Sequence, residues 1–250
     1  MIADICTMIW KECREVLRLS GSKRSTALKF LILMVIYGVI FPWQAGIAWV
    51  TTPISLVFWA MVPVLLVVTM VADSFAGERE RHTLETLLAT RLSDRAILFG
   101  KIGAIVCHTW VVTQIVMIIV LVPINIRFWE GRISFYSADV MLSGLGLSLL
   151  VASLVSTVGV LISLRANSVK QAQQTLGLAV FTLAWGPILA LLVLPDEWKT
   201  HLGQILKVFL ASGADLTQVI LIVAAALVVL TAVFLAIAMS RFQRASLILD

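Results

Sequence analysis

Charge is scarce in this chain. Asp, Glu, Lys and Arg make up 13% of its 250 residues, against roughly a quarter in soluble domains. Apolar residues make up 60%, against about 45–50% in soluble domains. So little charge cannot cover an aqueous surface, and an ordinary soluble enzyme is excluded. The apolar excess excludes an intrinsically disordered chain, which needs low hydrophobicity. Cysteine is scarce too. Cys6, Cys13 and Cys107 form no CxxC pair and no metal-ligand spacing, so they read as reduced, structural thiols. His82, His108 and His201 fall at different depths or sides and cannot converge on a metal. HExxH, GxSxG and GxxxxGK[ST] are all missing, so no zinc-protease, serine-nucleophile or P-loop chemistry is expected of the chain itself. The apolar runs contain no Asp or Glu at their centres, unlike proton-coupled carriers or aspartyl intramembrane proteases. The net charge of +5 comes without a basic run interleaved with aromatics, so nucleic acid is not an expected partner.

What the chain does have is a series of apolar runs, each close to the ~20 residues that cross a bilayer. The predicted fold class is all-α: a polytopic membrane protein with six transmembrane helices. The spans fall at about 28–50, 54–72, 102–124, 140–164, 175–194 and 219–239. Residues 1–27 are not a signal peptide, because charges interrupt the run from Asp4 to Arg18. Ile2, Ile5, Cys6, Ile9, Trp10, Cys13, Val16 and Leu17 share one helical face. This spacing predicts an amphipathic helix lying in the membrane interface. The segment 202–216 is too short to span and carries Lys207, so a re-entrant or interfacial element is expected before the last span. Residues 28–240 then form the membrane domain, with a charged loop at 73–101, and 241–250 form a tail. Of the 19 basic residues, only Arg127, Arg132, Lys199 and Lys207 fall on the side opposite the termini. The excess of basic residues marks the cytoplasmic side. Both termini are therefore expected in the cytoplasm, with the lipid bilayer as the first partner.

Few residues could carry chemistry or recognition. His108 and Gln114 are the deepest polar residues of the third span and are candidates for a polar pathway. Gly144, Ser148, Ala152 and Ser156 recur every four residues in the fourth span, a small-residue stripe suited to close helix packing. Its partner is either another span or a second subunit. The densest charge lies between Asp73 and Lys101. Leu84, Leu87 and Leu88 make an apolar ridge there beside Glu78, Arg81 and Glu85, and Ser93 has the position of a helix N-cap. A solvated loop with i,i+4 ion pairs is one reading. A docking element for a soluble partner is the other.

The stretch FAGERERHTLETLL, followed by a serine-led segment into FGK, resembles the first cytoplasmic loop of type-two ABC exporter permeases. Their pattern is close to GERERGTLExLL and then GK. Gly77, Glu78, Arg79, Glu80, Arg81, Thr83, Leu84, Glu85, Leu87, Leu88, Gly100 and Lys101 match it. His82 stands where the pattern has glycine, and Arg91-Leu92 where proline is frequent. The resemblance implies the membrane half of an ATP-driven transporter, with two permease subunits (alike or different) and two ATP-binding subunits. ATP and Mg would then be held by the partner, and the chain would bind no cofactor or metal of its own and be no enzyme. The matched residues from Gly77 to Leu88 would form a coupling helix seated on the ATPase, with the N-terminal helix beside it. A stand-alone carrier, a channel or a membrane assembly factor is the alternative.

Overall fold

The computed structural model describes residues 2–19, 28, 31–53, 55–83, 89–129, 131–193, 195, 200 and 216–242. Among them, all regular structure is helical. Helix α1 runs Ile2–Leu19. Helix α2, Leu31–Ala45, is apolar but short, and a single turn, α3 (Ala48–Thr51), follows it. Helix α4 runs Ser55–Glu80, α5 Asp94–Arg127, α6 Ala138–Arg165, α7 Val169–Val193 and α8 Leu216–Arg241.

Four of these helices, α4, α5, α6 and α8, are long and apolar enough to cross a membrane. They cover the second, third, fourth and sixth expected spans. Helix α7 covers the fifth as one 25-residue helix. The first expected span, 28–50, is not continuous. Gly46 ends α2 at φ +65°, a left-handed backbone that glycine adopts without steric cost. Its N–H donates to Pro42 O at 2.9 Å, closing the last turn. A Cβ at Gly46 would meet the Phe128 ring at 2.9 Å. Arg127, the last residue of α5, donates to Trp43 O and stacks on the Trp43 and Phe128 rings. Aromatic and arginine side chains therefore gather where α2 stops and α5 ends. The segment 202–216, apart from Leu216, lies outside the described residues, as do Arg244 and the rest of the tail beyond Phe242.

The helices at the centre are α4, α5 and α6, with α4 and α6 sharing the broadest interface. The reason is side-chain size. Without water to expel, helices in lipid associate through close packing, which small residues permit. Gly144, Ser148, Ala152 and Ser156 are all buried within the chain. A Cβ at Gly144 would overlap the Trp59 indole, and one at Gly159 would meet Val71 at 2.5 Å. Gly144 in the stripe and Gly159 just beyond it are thus where α4 seats on α6 inside a single subunit. Helix α8 leans on α6 and leaves most of its apolar surface uncovered.

Helix α5 has 34 residues. At ~1.5 Å per residue it is about 50 Å long, well beyond the ~30 Å hydrocarbon core. It therefore has turns to spare beyond a span. Ser93 caps it, accepting from the N–H of Ala96 at 3.2 Å. Helix α1 packs along its first turns. Met8 is 1% exposed, and the Cβ absent at Gly100 is the space it fills. Ile9 lies against Gly103 in the same way. Part of the apolar face of α1 is therefore covered by α5, while Trp10 stays exposed, its ring 3.9 Å beneath the Arg14 guanidinium.

Candidate functional site

The charged loop begins inside α4. Between Asp73 and Gly77 the helix widens into a π turn. Such a turn loosens the regular backbone ladder and leaves N–H groups in need of acceptors. One hydroxyl meets the need: Ser163 of α6 accepts from the N–H of Phe75 at 3.2 Å and of Ala76 at 3.1 Å. It donates in turn to Ala72 O at 3.2 Å. The widened turn is thus held against α6 by a side chain that sequence reading passes over. A serine at the end of an apolar run is the one signal that marks it.

The residues after the π turn face different partners. Glu78 turns inward. Its Oε1 accepts from Lys101 Nζ at 2.8 Å. The same ammonium donates to Glu12 of α1 at 3.1 Å and to Ser74 O at 2.8 Å. Side-chain exposure is 1% for Lys101, 7% for Glu78 and 14% for Glu12, so this is a buried ion triad. The Phe75 ring covers the ammonium at 5.1 Å and packs on Phe242 at the end of α8. Burial, then the nearby Cys107 and Glu12, push the Cys13 thiol up, which keeps it protonated beside the triad.

Arg79 and Glu80 hold the link between α6 and α7. Arg79 donates to Leu164 O and Ala166 O, the carbonyl end of α6. Glu80 accepts from the N–H of Val169, the first residue of α7, at 2.9 Å. A cation at a helix C-terminus and an anion at an N-terminus each complement the helix dipole. Two adjacent charges of opposite sign thus tie one segment to two helix ends.

Helix α4 then stops. The N–H of Thr83 donates to Glu78 O at 2.9 Å and that of His82 to Arg79 O at 3.1 Å. This is the Schellman pattern, which puts the penultimate residue in the left-handed region. That residue is His82, at φ +54°. The glycine of the family pattern is the residue suited to such a backbone, and histidine occupies it here under strain. Arg81, His82 and Thr83 are exposed. Leu84, Glu85, Leu87 and Leu88 lie outside the described residues. Gly77 is buried inside the π turn.

The polar residues of the third span do not converge. Gln114 donates to Ser148 Oγ at 3.2 Å, joining α5 to the small-residue stripe. His108 is half-buried, and its Nδ1 has no hydrogen-bond partner among the described residues. Six residues apart, the two side chains leave the helix about 120° from one another. Trp110 adds a second α5–α6 link, donating to Leu145 O at 3.1 Å. Nothing local in the sequence joins Lys101 to Glu12, although Lys101 closes the matched pattern. The two residues lie 89 positions apart, and no local periodicity connects them.

Residues 3–187 match the family model of the ABC-2 type transporter. The chain belongs to that family, and with its long apolar helices it is a multi-pass membrane protein of the permease class. A 134-residue stretch is 32% identical to the ABC transporter permease protein NatB of Bacillus subtilis (strain 168). The stretch covers 49% of this chain and 34% of that relative, so it spans about a third of the relative's length.

Proposed function

We propose that the chain is the membrane subunit of an ATP-driven exporter, coupled through its 73–101 loop to a separate ATP-binding subunit. Two such subunits, alike or different, would complete the pathway, with ATP and Mg held by the ATPase pair. In this reading six spans put both termini on one side, the excess of basic residues makes that side the cytoplasm of a bacterial cell, and α1 rests in the membrane interface as well as on α5. The observation that carries this reading is the division of the loop's charges. Glu78, Arg79 and Glu80 bond to other helices of the subunit itself, and Arg81, His82 and Thr83, next along the chain, are exposed. A segment anchored at three points with an exposed charged tip is suited to receive a push. Nucleotide-driven closure of the partner would then bias the spans between two access states.

Purification of the tagged chain in detergent tests the proposal. Co-purification of a P-loop ATPase is expected, and Arg81→Glu with Glu85→Lys should lower its recovery. Arg81 is exposed, and the two substitutions leave Glu78 and Glu80, whose contacts are internal, unchanged. Transport by the purified chain alone, with no ATPase recovered under any condition, would overturn the reading.

A further inference from the structure

We propose that Lys101 is a positioning residue that sets the register of α1 on α5, so that α1, the end of α4 and the head of α5 move as one body. The inference rests on the reading of 73–101 as the coupling loop and assigns a task to the group beneath it. An ammonium has three donors, and all three are committed here, to Glu12, Glu78 and Ser74 O. Lys101 therefore has no donor left for a substrate or a phosphate. Its three acceptors come from two separate elements, α1 and α4, while Lys101 itself belongs to α5.

Burial of an ion triad is a poor source of stability, since apolar side chains of similar volume often do as well or better. Register is a different matter. Helix α5 meets α1 at Gly100 and Gly103, and the residues one turn on from each, Ala104 and Cys107, also have small side chains. Met8 sits at Gly100 and Ile9 at Gly103. One helical turn further along, the same two knobs would find Ala104 and Cys107, which are also small. Apolar packing alone thus permits α1 to slip by a turn, about 5.4 Å. The bond from Lys101 to Glu12 does not, because Glu12 would leave the reach of the ammonium. Lys11, 3.6 Å from Glu12, belongs to the same helix as Glu12, so that pair does not itself fix α1 against α5.

The chain carries its own reporter. Cys13 lies one helical turn beyond Ile9, and Cys107 one turn beyond Gly103. The two thiols are close enough to influence each other electrostatically. In a Cys6→Ser background, a short bis-thiol cross-linker applied to the full chain in detergent should join Cys13 to Cys107 within one chain. Glu12→Gln and Lys101→Met should each lower the yield several-fold while the protein still elutes as one species. Should Lys101→Met fail to fold, Glu12→Gln gives the same readout, because Glu78 keeps its cation. Equal yield in wild type and Glu12→Gln would overturn the proposal. In the complex with the ATPase, wild-type yield should be the same with and without trapped nucleotide. A fall on trapping would mean that α1 and α5 part company, and would also overturn it. If no ATPase co-purifies, the coupling reading fails, yet cross-linking of the chain alone still decides the register.

Discussion

His82 shows how much a single position can carry. It closes a Schellman turn at φ +54°, where the N–H groups of His82 and Thr83 complete the end of α4. A side chain in the left-handed region costs ~1–2 kcal/mol. His82→Gly is therefore expected to raise stability by about 1 kcal/mol, after allowance for the extra freedom of glycine in the unfolded chain. His82→Val should lower it. Thermal unfolding of the detergent-solubilised chain checks both, and a rise with valine would mean that the turn is not as described. The histidine was visible in the sequence as a departure from a glycine position. What it does became visible only with the backbone. The same holds for Ser163 and Lys101. Each is a polar residue at the border of an apolar run, and a residue's type says nothing of which distant helix lies across from it.

At the scale of helices, the small-residue stripe was legible because its spacing of four is a property of one helix. Its partner was not: at Gly144 it is α4, and at Ser148 it is Gln114 of α5. Two glycines of α6 separate close packing from mere presence. A Cβ at Gly144 overlaps the Trp59 indole, a flat ring with little room to move aside, whereas one at Gly146 meets nothing within 4 Å. Gly144→Ala should therefore lower the unfolding temperature. Gly146→Ala should leave it equal or raise it, since alanine is favoured over glycine in a helix by ~1 kcal/mol. A reversed order would show that α4 and α6 are not in contact there. The starts and stops of helices were legible where capping residues mark them, as at Ser93. The π turn at Asp73–Gly77 was not, because nothing in the composition of Asp-Ser-Phe-Ala-Gly signals a change from four-residue to five-residue bonding. The break of the first expected span at Gly46 was likewise hidden inside an apolar run that hydropathy alone reads as continuous.

For the whole molecule, the low charge content located the chain in a membrane, and the uneven division of basic residues gave an orientation to test. A single cysteine at Trp129 or Arg132, both exposed in the link between α5 and α6, should react with an impermeant maleimide from outside intact cells. A single cysteine at His82 should react only in inverted vesicles. Both are to be made in a background freed of Cys6, Cys13 and Cys107. Labelling of the two positions from the same side would contradict the orientation and, with it, the assignment of the loop to an ATP-binding partner.

The π turn has one more effect, on how such a chain can change over time. It holds one residue more than a regular turn, and everything after it is rotated accordingly. The wide turn absorbs that residue, so removal of Ala76 with a return to ordinary winding would leave Glu78, Arg79 and Glu80 facing the partners they now have. Tightening the turn with all its residues kept would instead swing the three by about 100° around the axis and take Glu78 away from Lys101. The wide turn thus acts like a dial, with three contacts set together by the winding of one segment and no side chain exchanged.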